Sequence, residues 1–209
     1  FPWLSMRHIE VGTVPDVWAI RTNLIGELGW ELHFSVAFAR SLLDALLAAG
    51  KPAALKPVGV RAMDALRIEK SCCLWGTELT RDYAVDEAGI GRLVPIGKRD
   101  FVGREALMRQ RAKGPRQQLV TLAIDGIDNC DARGDEPLFL ENGTQLIGRT
   151  TAGAFGHRVQ KSLALGYVSP ANAAVGTKLV IEILGSLKPA TIVEASPYDP
   201  ANERLRATD

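Results

Sequence analysis

The stretch Arg21-Thr22-Asn23-Leu24-Ile25-Gly26-Glu27-Leu28-Gly29-Trp30-Glu31-Leu32 has the pattern of a β-hairpin whose tip carries a carboxylate between two glycines. Strand-forming residues precede it at Val17–Ile20, and apolar and polar residues alternate over Trp30–Phe34. The two glycines permit a tight turn and the close approach of a ligand to the backbone. The pattern therefore predicts that Glu27 lies at a sheet edge and faces a cavity.

Two interpretations of Glu27 follow from this placement. A carboxylate at a sheet edge can accept two N–H donors from a flat heterocycle, as in purine or pterin recognition. The alternative is a solvated glutamate in a surface turn. The spacing of the residues leaves both open.

Two helices are predicted after the hairpin. Apolar residues recur at helical spacing between Phe38 and Leu47, with Ser35 as the amino-terminal cap and Gly50 as the residue that ends the helix. A second helix is expected from about Gly59 to Glu69. Strands followed by helices indicate an α+β fold, with helices on one face of an antiparallel, ferredoxin-like sheet.

The second half of the chain has the pattern of an all-β domain. Strands are predicted at 119–124, 137–140, 145–151, 163–168, 179–184 and 190–194. Asn142-Gly143 predicts a two-residue hairpin turn. Thr150–His157 is expected to be a loop between two strands, which either lies near a cavity or is a plain connection. A short helix over 105–113 precedes these strands, so the domains are predicted at 1–108 and 117–209, the second of them a small barrel.

Composition restricts the function classes. The chain has 209 residues and a net charge of +1, which gives no basic surface for nucleic acid or anionic membranes. No apolar run approaches the roughly 18 residues of a transmembrane helix, and no signal peptide is found. The three cysteines do not form a disulfide framework, so a reducing, cytoplasmic location is expected. Because the chain starts at Phe1, it is expected to be a piece of a longer protein.

Several chemical motifs are absent from the sequence. The three histidines, His8, His33 and His157, have no metal-ligand spacing, and no nucleophile elbow, P-loop or dinucleotide fingerprint occurs. The Cys72-Cys73 pair is interpreted as packing. Asp64 and Glu69 could serve as acid or base, but carboxylates at helix spacing among arginines are more often surface charges in ion pairs.

Two further segments are candidates for ligand contact. Trp75 can stack on a flat ligand, although a tryptophan beside a glycine is more often buried. The tail Pro197–Arg204 can fold back and present Tyr198 or Arg204 to a ligand, or it can be a frayed terminus.

The order of short motifs resembles the folate-binding T-protein family of the glycine cleavage system over almost the whole chain. Each motif is weak alone, and the ordered set is specific. The motifs are Gly26–Leu32, Ala65–Lys70, Trp75–Leu79, Lys98–Arg104, Gly148–Gly153, Leu163–Val168 and Pro197–Pro200. Within the family, the carboxy-terminal parts of dimethylglycine and sarcosine dehydrogenases are most similar.

The resemblance implies a folate-dependent one-carbon transferase module. In that branch a one-carbon unit from an iminium intermediate of a methylated amine reaches tetrahydrofolate and gives methylenetetrahydrofolate. FAD belongs to an amino-terminal domain, so the resemblance implies it only if such a domain is missing from this chain.

The resemblance also assigns binding residues. Glu27 matches the family glutamate that binds the pterin, and Leu28 and Gly29 supply backbone contacts. Arg204 falls near the carboxy-terminal position that contacts the ligand, and Trp75 and Tyr198 join the expected folate-binding set.

The sequence departs from the family pattern in three places. The common Tyr-Thr before Gly-Glu is Leu24-Ile25, which removes an aromatic wall. An arginine that T proteins often carry in the second helix is Met63, which argues against transfer from a lipoyl carrier protein. The catalytic aspartate of the family lies ahead of Phe1, so no catalytic residue is assigned in this chain. Two alternatives to the dehydrogenase module stay open: a glycine cleavage aminomethyltransferase, and a non-catalytic scaffold or oligomerisation module of the same fold.

Overall fold

A computed structural model describes residues 1–126 and 130–207, which form two compact units. The first comprises Phe1–Met63 and Asp199–Asp209, and the second Asp64–Tyr198. The strands are β1 (Met6–Val11), β2 (Val14–Ile20), β3 (Glu31–His33), β4 (Gln118–Ile124), β5 (Pro137–Leu140), β6 (Leu146–Gly156), β7 (Lys161–Val168), β8 (Lys178–Ile183) and β9 (Ser186–Val193). The α-helices are α1 (Ala39–Gly50), α2 (Val60–Glu69), α3 (Arg104–Lys113) and α4 (Glu203–Arg206).

The first unit contains a three-stranded antiparallel sheet with β2 in the centre. The predicted hairpin is confirmed, because β2 pairs with β3 and Ile20 lies opposite Glu31. Its tip is wider than expected, since the connection runs from residue 21 to 30. Val14 and Val17 of β2 are buried against Leu42 of α1, which forms the small core of this unit.

Helix α1 is confirmed, but its ends differ from the prediction. Ser35 makes no side-chain capping hydrogen bond, because a 3-10 turn (Val36–Phe38) separates it from the helix. Gly50 remains helical with φ −81°, and the left-handed residue that reverses the chain is Ala54. Gly50 is instead required by packing, since a Cβ atom there would lie 2.5 Å from the Leu55 side chain.

The second unit contains the closed barrel β4-β7-β6-β5-β8-β9, in which every pair is antiparallel. The α+β class with a small β-barrel is therefore confirmed. Alternating residues of the strands fill the interior; among them Leu122, Leu138, Ile181 and Ile192 are almost completely buried. The predicted domain boundaries, 1–108 and 117–209, stay a prediction.

Two connections in the barrel differ from the prediction. Thr150–Gly156 is not a loop but the second half of β6, and a register shift lies between Thr150 and Ala152. Small residues are needed in this strand because another backbone passes close by: a Cβ atom at Gly153 would lie 2.5 Å from the carbonyl oxygen of Ala132.

The hairpin at Asn142-Gly143 is longer than two residues. Leu140 N donates to Gln145 O at 3.0 Å, so residues 141–144 form the connection. Asn142 Oδ1 accepts from Thr144 N at 3.1 Å, and this side-chain bond favours the wider turn. None of the described helices is long and apolar enough to cross a bilayer.

Candidate functional site

The loop that carries Glu27 is organised by the side chain of Asn23. Asn23 Oδ1 accepts hydrogen bonds from the backbone N–H groups of Ile25 and Gly26, both at 2.9 Å. Asn23 Nδ2 donates to the carbonyl oxygen of Glu27. One side chain therefore fixes the backbone on both sides of Gly26, in the manner of an Asx turn.

The two glycines of the loop have different roles. Gly26 adopts φ +73°, a left-handed conformation that disfavours side chains. Gly29 makes room for Asn23, because a Cβ atom at Gly29 would lie 2.9 Å from Asn23 Nδ2. The glycines thus shape the loop, and the backbone contacts of Leu28 and Gly29 with a ligand stay a prediction.

Glu27 and Arg204 are brought together by the structure. Glu27 Oε2 lies 3.8 Å from Arg204 Nη1, and the Glu27 side chain is only 25% exposed while that of Arg204 is 65% exposed. A carboxylate has about four acceptor sites on its two oxygens. The position of Glu27 favours the binding interpretation over a glutamate in bulk water.

The carboxy-terminal tail is held against the first unit. Buried Arg21 donates to the carbonyl oxygen of Phe1 at 2.7 Å and to that of Ala207. The guanidinium of Arg206 lies 5.0 Å from the ring centre of Trp3. These contacts exclude the frayed terminus that was an alternative from sequence, and they hold the chain on the carboxy-terminal side of Arg204.

Tyr198 is anchored to the end of α2 in the second unit. Tyr198 N donates to Glu69 O at 3.0 Å, and Lys70 Nζ donates to Tyr198 O at 3.2 Å. The Arg158 guanidinium lies 4.4 Å from the centre of the Tyr198 ring, within the range of a cation–π contact. The Tyr198 ring is therefore already in contact with a cation, which argues against a stacked ligand on that face of the ring.

Glu69 is not a surface charge, and that prediction was wrong. Its side chain is fully buried, and Oε1 accepts from the backbone N–H groups of Arg158 at 2.6 Å and Val159 at 3.2 Å. A Cβ atom at Gly156 would lie 2.9 Å from Glu69 Cγ, so the turn after β6 is built around this carboxylate. Asp64 does form the predicted ion pair, with Arg67 Nε at 3.0 Å.

Trp75 is 85% exposed, contrary to the burial expected for a tryptophan beside a glycine. It lies in a loop over residues 74–79 that is closed by a hydrogen bond from Leu79 N to Leu74 O at 3.0 Å. An indole with this exposure has most of its ring surface accessible to a flat ligand.

Other candidate chemistry receives no support. Within residues 1–126 and 130–207, no three His, Cys, Asp or Glu side chains are grouped as metal ligands. Burial raises the pKa of the Cys73 thiol to about 11, so the nucleophilic thiolate is scarce near neutral pH. A cleft of about 260 Å³ lies beside Glu87 and Arg111, but Arg111 is paired with Asp86 through hydrogen bonds of 2.7 and 2.9 Å.

The expected folate-binding residues are distributed over both units. Glu27, Leu28, Gly29 and Arg204 belong to the first, and Trp75 and Tyr198 to the second. Sequence reasoning missed Asn23, although an Asn three residues before a Gly is a recognisable turn signal. It also missed the buried charges of α2 and the following loop, for which the helical pattern carries no signal.

Comparison with known proteins identifies the family. A family model described as the GCVT N-terminal domain matches residues 1–98. A second, described as the glycine cleavage T-protein C-terminal barrel domain, matches residues 117–199. The chain belongs to the glycine cleavage T-protein family.

The relatives of this T-protein chain include dehydrogenases and aminomethyltransferases. It is 37% identical to human mitochondrial dimethylglycine dehydrogenase over 99% of its own length and 24% of that protein. It is 35% identical to an aminomethyltransferase of Symbiobacterium thermophilum over 97% of its length and 53% of that protein. The crystal structure of glycine cleavage system aminomethyltransferase T from Bartonella henselae matches 95% of the chain, and 53% of that structure's chain, with a TM-score of 0.84 and 27% identity. The chain thus spans about a quarter to a half of these relatives.

Proposed function

We propose that this chain is the folate-binding part of an enzyme that transfers a one-carbon unit to tetrahydrofolate, and that Glu27 binds the pterin. The observation that carries the proposal is the fixed position of Glu27, in a loop held by Asn23 and beside Arg204. The family resemblance supports the same assignment. An aminopyrimidine presents two N–H donors on one edge, and a carboxylate can accept both through charge-assisted hydrogen bonds.

The residues present fit a reduced folate. Glu27 supplies the acceptor, and Arg204 lies beside it, with Nη1 3.8 Å from Glu27 Oε2. The roles of Trp75 and Tyr198, which belong to the other unit, stay predictions. When bound, tetrahydrofolate supplies the nitrogen atoms that accept the one-carbon unit, and the task of this chain is to hold and orient them.

The first candidate for the whole enzyme is a dehydrogenase that demethylates dimethylglycine or sarcosine. The similarity to the human dimethylglycine dehydrogenase over 99% of the chain supports it. Such an enzyme would act on a methylated amine, form methylenetetrahydrofolate and carry FAD in another domain. The catalytic aspartate is expected in that protein ahead of Phe1, and a cytoplasmic location stays a prediction.

The second candidate is a glycine cleavage aminomethyltransferase that works with a lipoyl carrier protein. The fold similarity to aminomethyltransferase T, with a TM-score of 0.84, favours it. Met63, at the position where T proteins often carry arginine, argues against it. A pull-down of the full-length protein with a lipoyl carrier protein separates the two candidates, since only the aminomethyltransferase needs such a docking partner.

Calorimetric titration of the full-length protein with tetrahydrofolate tests the role of Glu27. We expect Glu27→Gln to weaken binding about 10- to 100-fold, the range for losing hydrogen bonds to a charged group. Glu31→Gln is the matched control, because Glu31 is a partly exposed carboxylate of the same hairpin that lies 3.6 Å from His33. Equal affinities for the wild type and Glu27→Gln would exclude the pterin role.

A further inference from the structure

The tail segment that carries Arg204 is fixed at its backbone. Asp199 Oδ1 accepts from Glu203 N at 2.9 Å, and Asp199 Oδ2 accepts from Arg204 N at 3.2 Å. Asn202 is left-handed with φ +59°, and its carbonyl oxygen accepts from Arg206 N at 3.0 Å. These bonds determine where the Arg204 side chain begins, and all of them lie within the first unit.

The Arg204 side chain is less constrained than its backbone. It is 65% exposed, and its Nη1 lies 3.8 Å from Glu27 Oε2. This distance is within the range of an ion pair but is longer than a hydrogen bond. Because an exposed ion pair contributes little to stability, the guanidinium can leave the carboxylate while the backbone of the tail stays in place.

The guanidinium lies where a ligand of Glu27 must bind. The Glu27 side chain is only 25% exposed, so the directions from which a donor can reach its oxygens are limited. Arg204 Nη1 is beside one of these two oxygens. A ligand edge that donates to both oxygens must therefore displace the guanidinium from Oε2.

The guanidinium and the pterin edge present the same kind of donor group. A guanidinium is planar, and its nitrogen atoms around one carbon direct N–H groups toward a carboxylate. In the aminopyrimidine edge of a pterin, the amino group and the neighbouring ring N–H are likewise attached to one carbon. The two groups therefore compete for one acceptor.

We infer that Arg204 is an internal competitor of the ligand: its guanidinium occupies the Glu27 acceptor until the pterin edge displaces it. The identity of the ligand rests on the proposed function. The inference reverses the sign expected for a residue that contacts the ligand. Removal of a ligand contact weakens binding, whereas removal of a competitor increases the fraction of the protein that is ready to bind.

Calorimetric titration of full-length wild type and Arg204→Gln tests this sign. One ligand is tetrahydrofolate, and the other is 6-methyltetrahydropterin, which has the same aminopyrimidine edge but no carboxylate. We expect Arg204→Gln to bind 6-methyltetrahydropterin about two- to fivefold more tightly than the wild type, the range for an exposed ion pair. Because the Arg204 side chain is 65% exposed, the substitution leaves the core unchanged.

Two results of these titrations would overturn the competitor role. The first is equal or weaker binding of 6-methyltetrahydropterin to Arg204→Gln. The second is weaker binding of tetrahydrofolate with unchanged binding of 6-methyltetrahydropterin, which would show that Arg204 attracts the carboxylates of the folate.

Arg40→Gln is the matched control for the loss of a positive charge. Arg40 is an exposed arginine of the same unit, and its Nε lies 2.8 Å from Asp44 Oδ2. We expect this variant to keep the wild-type affinity for both ligands. Tighter binding by the same factor in Arg40→Gln would show that net charge, and not the contact with Glu27, controls the affinity, and would overturn the inference.

The Glu27→Gln background separates the competitor role from the proposed function. There, Arg204→Gln should leave the affinity unchanged, because the carboxylate for which the groups compete is gone. An equal gain in affinity in this background would overturn the competitor role. Equal binding by wild type and Arg204→Gln would overturn that role alone, whereas failure of both ligands to bind either protein would refute the proposed function and the competitor role together.

Discussion

Asn23 fixes the backbone of the loop that carries Glu27. It accepts two backbone N–H groups at 2.9 Å and donates to the carbonyl oxygen of Glu27 itself. The other contacts of the connection over residues 21–30 include the hydrogen bonds of Arg21 and the ion pair of Glu27 with Arg204. The proposed role of Glu27 therefore depends in part on a neighbour that carries no charge.

Replacing Asn23 by alanine should weaken tetrahydrofolate binding about three- to tenfold, because the loop must then be ordered at the moment of binding. Asn142→Ala is the control, since Asn142 makes a similar turn bond, to Thr144 N at 3.1 Å, in a barrel hairpin. Calorimetric titration measures both. An Asn23→Ala variant with wild-type affinity would show that the loop does not need this side chain.

At the residue scale, the sequence indicated Glu27 as a candidate residue but not the side chain that supports its loop. Glu27 was identifiable because it stands between two glycines in a hairpin pattern. Asn23 was overlooked because turn chemistry was considered only at the glycines. Glu69 was misplaced because a charge among alternating arginines has the same pattern whether the helix surface is solvated or covered by a barrel turn.

At the scale of elements, buried glutamates fasten the irregular segments of the second unit. Glu87 accepts hydrogen bonds from the backbone N–H groups of Ala84, Arg116 and Gln117 at 2.8, 2.7 and 3.4 Å. Burial by itself raises the pKa of Glu87, but these hydrogen bonds and the Arg116 guanidinium prevail and leave it below its usual value of 4.5. The segment before α3 and the start of β4 are thus held together by one ionised side chain.

This shift predicts a pH-dependent stability. A carboxylate whose pKa is lower in the folded chain stabilises the fold above its unfolded pKa, and this contribution is lost as the pH falls through the folded pKa. Glu87→Gln should therefore unfold at a lower urea concentration near neutral pH, with a free energy of unfolding about 1–2 kcal/mol lower than that of the wild type.

The difference should shrink as the pH falls through the folded pKa, because the wild-type side chain is then protonated as well. Urea unfolding of both proteins at a series of pH values, from about pH 7 into the acid range, measures it. A difference of the same size at every pH would show that the shape of the side chain, and not its charge, is responsible.

Elements with regular patterns were predictable, and their ends were not. The barrel strands follow from alternating apolar residues, and the α1 helix from its apolar face. The length of β6 was missed because its second half consists of small and hydroxyl residues, which resemble a loop. They are present because neighbouring backbone passes within the volume of a side chain, as it does at Gly153.

For the whole molecule, folate binding predicts stabilisation by the ligand. A ligand that binds only the folded state at 100 times its dissociation constant adds about 2.7 kcal/mol to the free energy of unfolding. For a chain of this size that corresponds to an increase in melting temperature of about 5–10 °C. Thermal unfolding with and without tetrahydrofolate measures the shift, and its absence would favour the non-catalytic scaffold.

The family was predictable from sequence because its motifs occur in a fixed order, although each one is weak. Which whole enzyme contains the chain does not follow from these residues. The chain spans 24% of a dimethylglycine dehydrogenase and 53% of an aminomethyltransferase at similar identities, and each of them matches nearly the whole chain.

A crystal structure of the full-length protein with 5-formyltetrahydrofolate tests the central assignment most directly. We predict that both carboxylate oxygens of Glu27 accept hydrogen bonds from the aminopyrimidine edge, with Asn23 still holding the loop. A ligand bound elsewhere, with the Glu27 carboxylate still beside Arg204 and out of reach of the pterin, would contradict it.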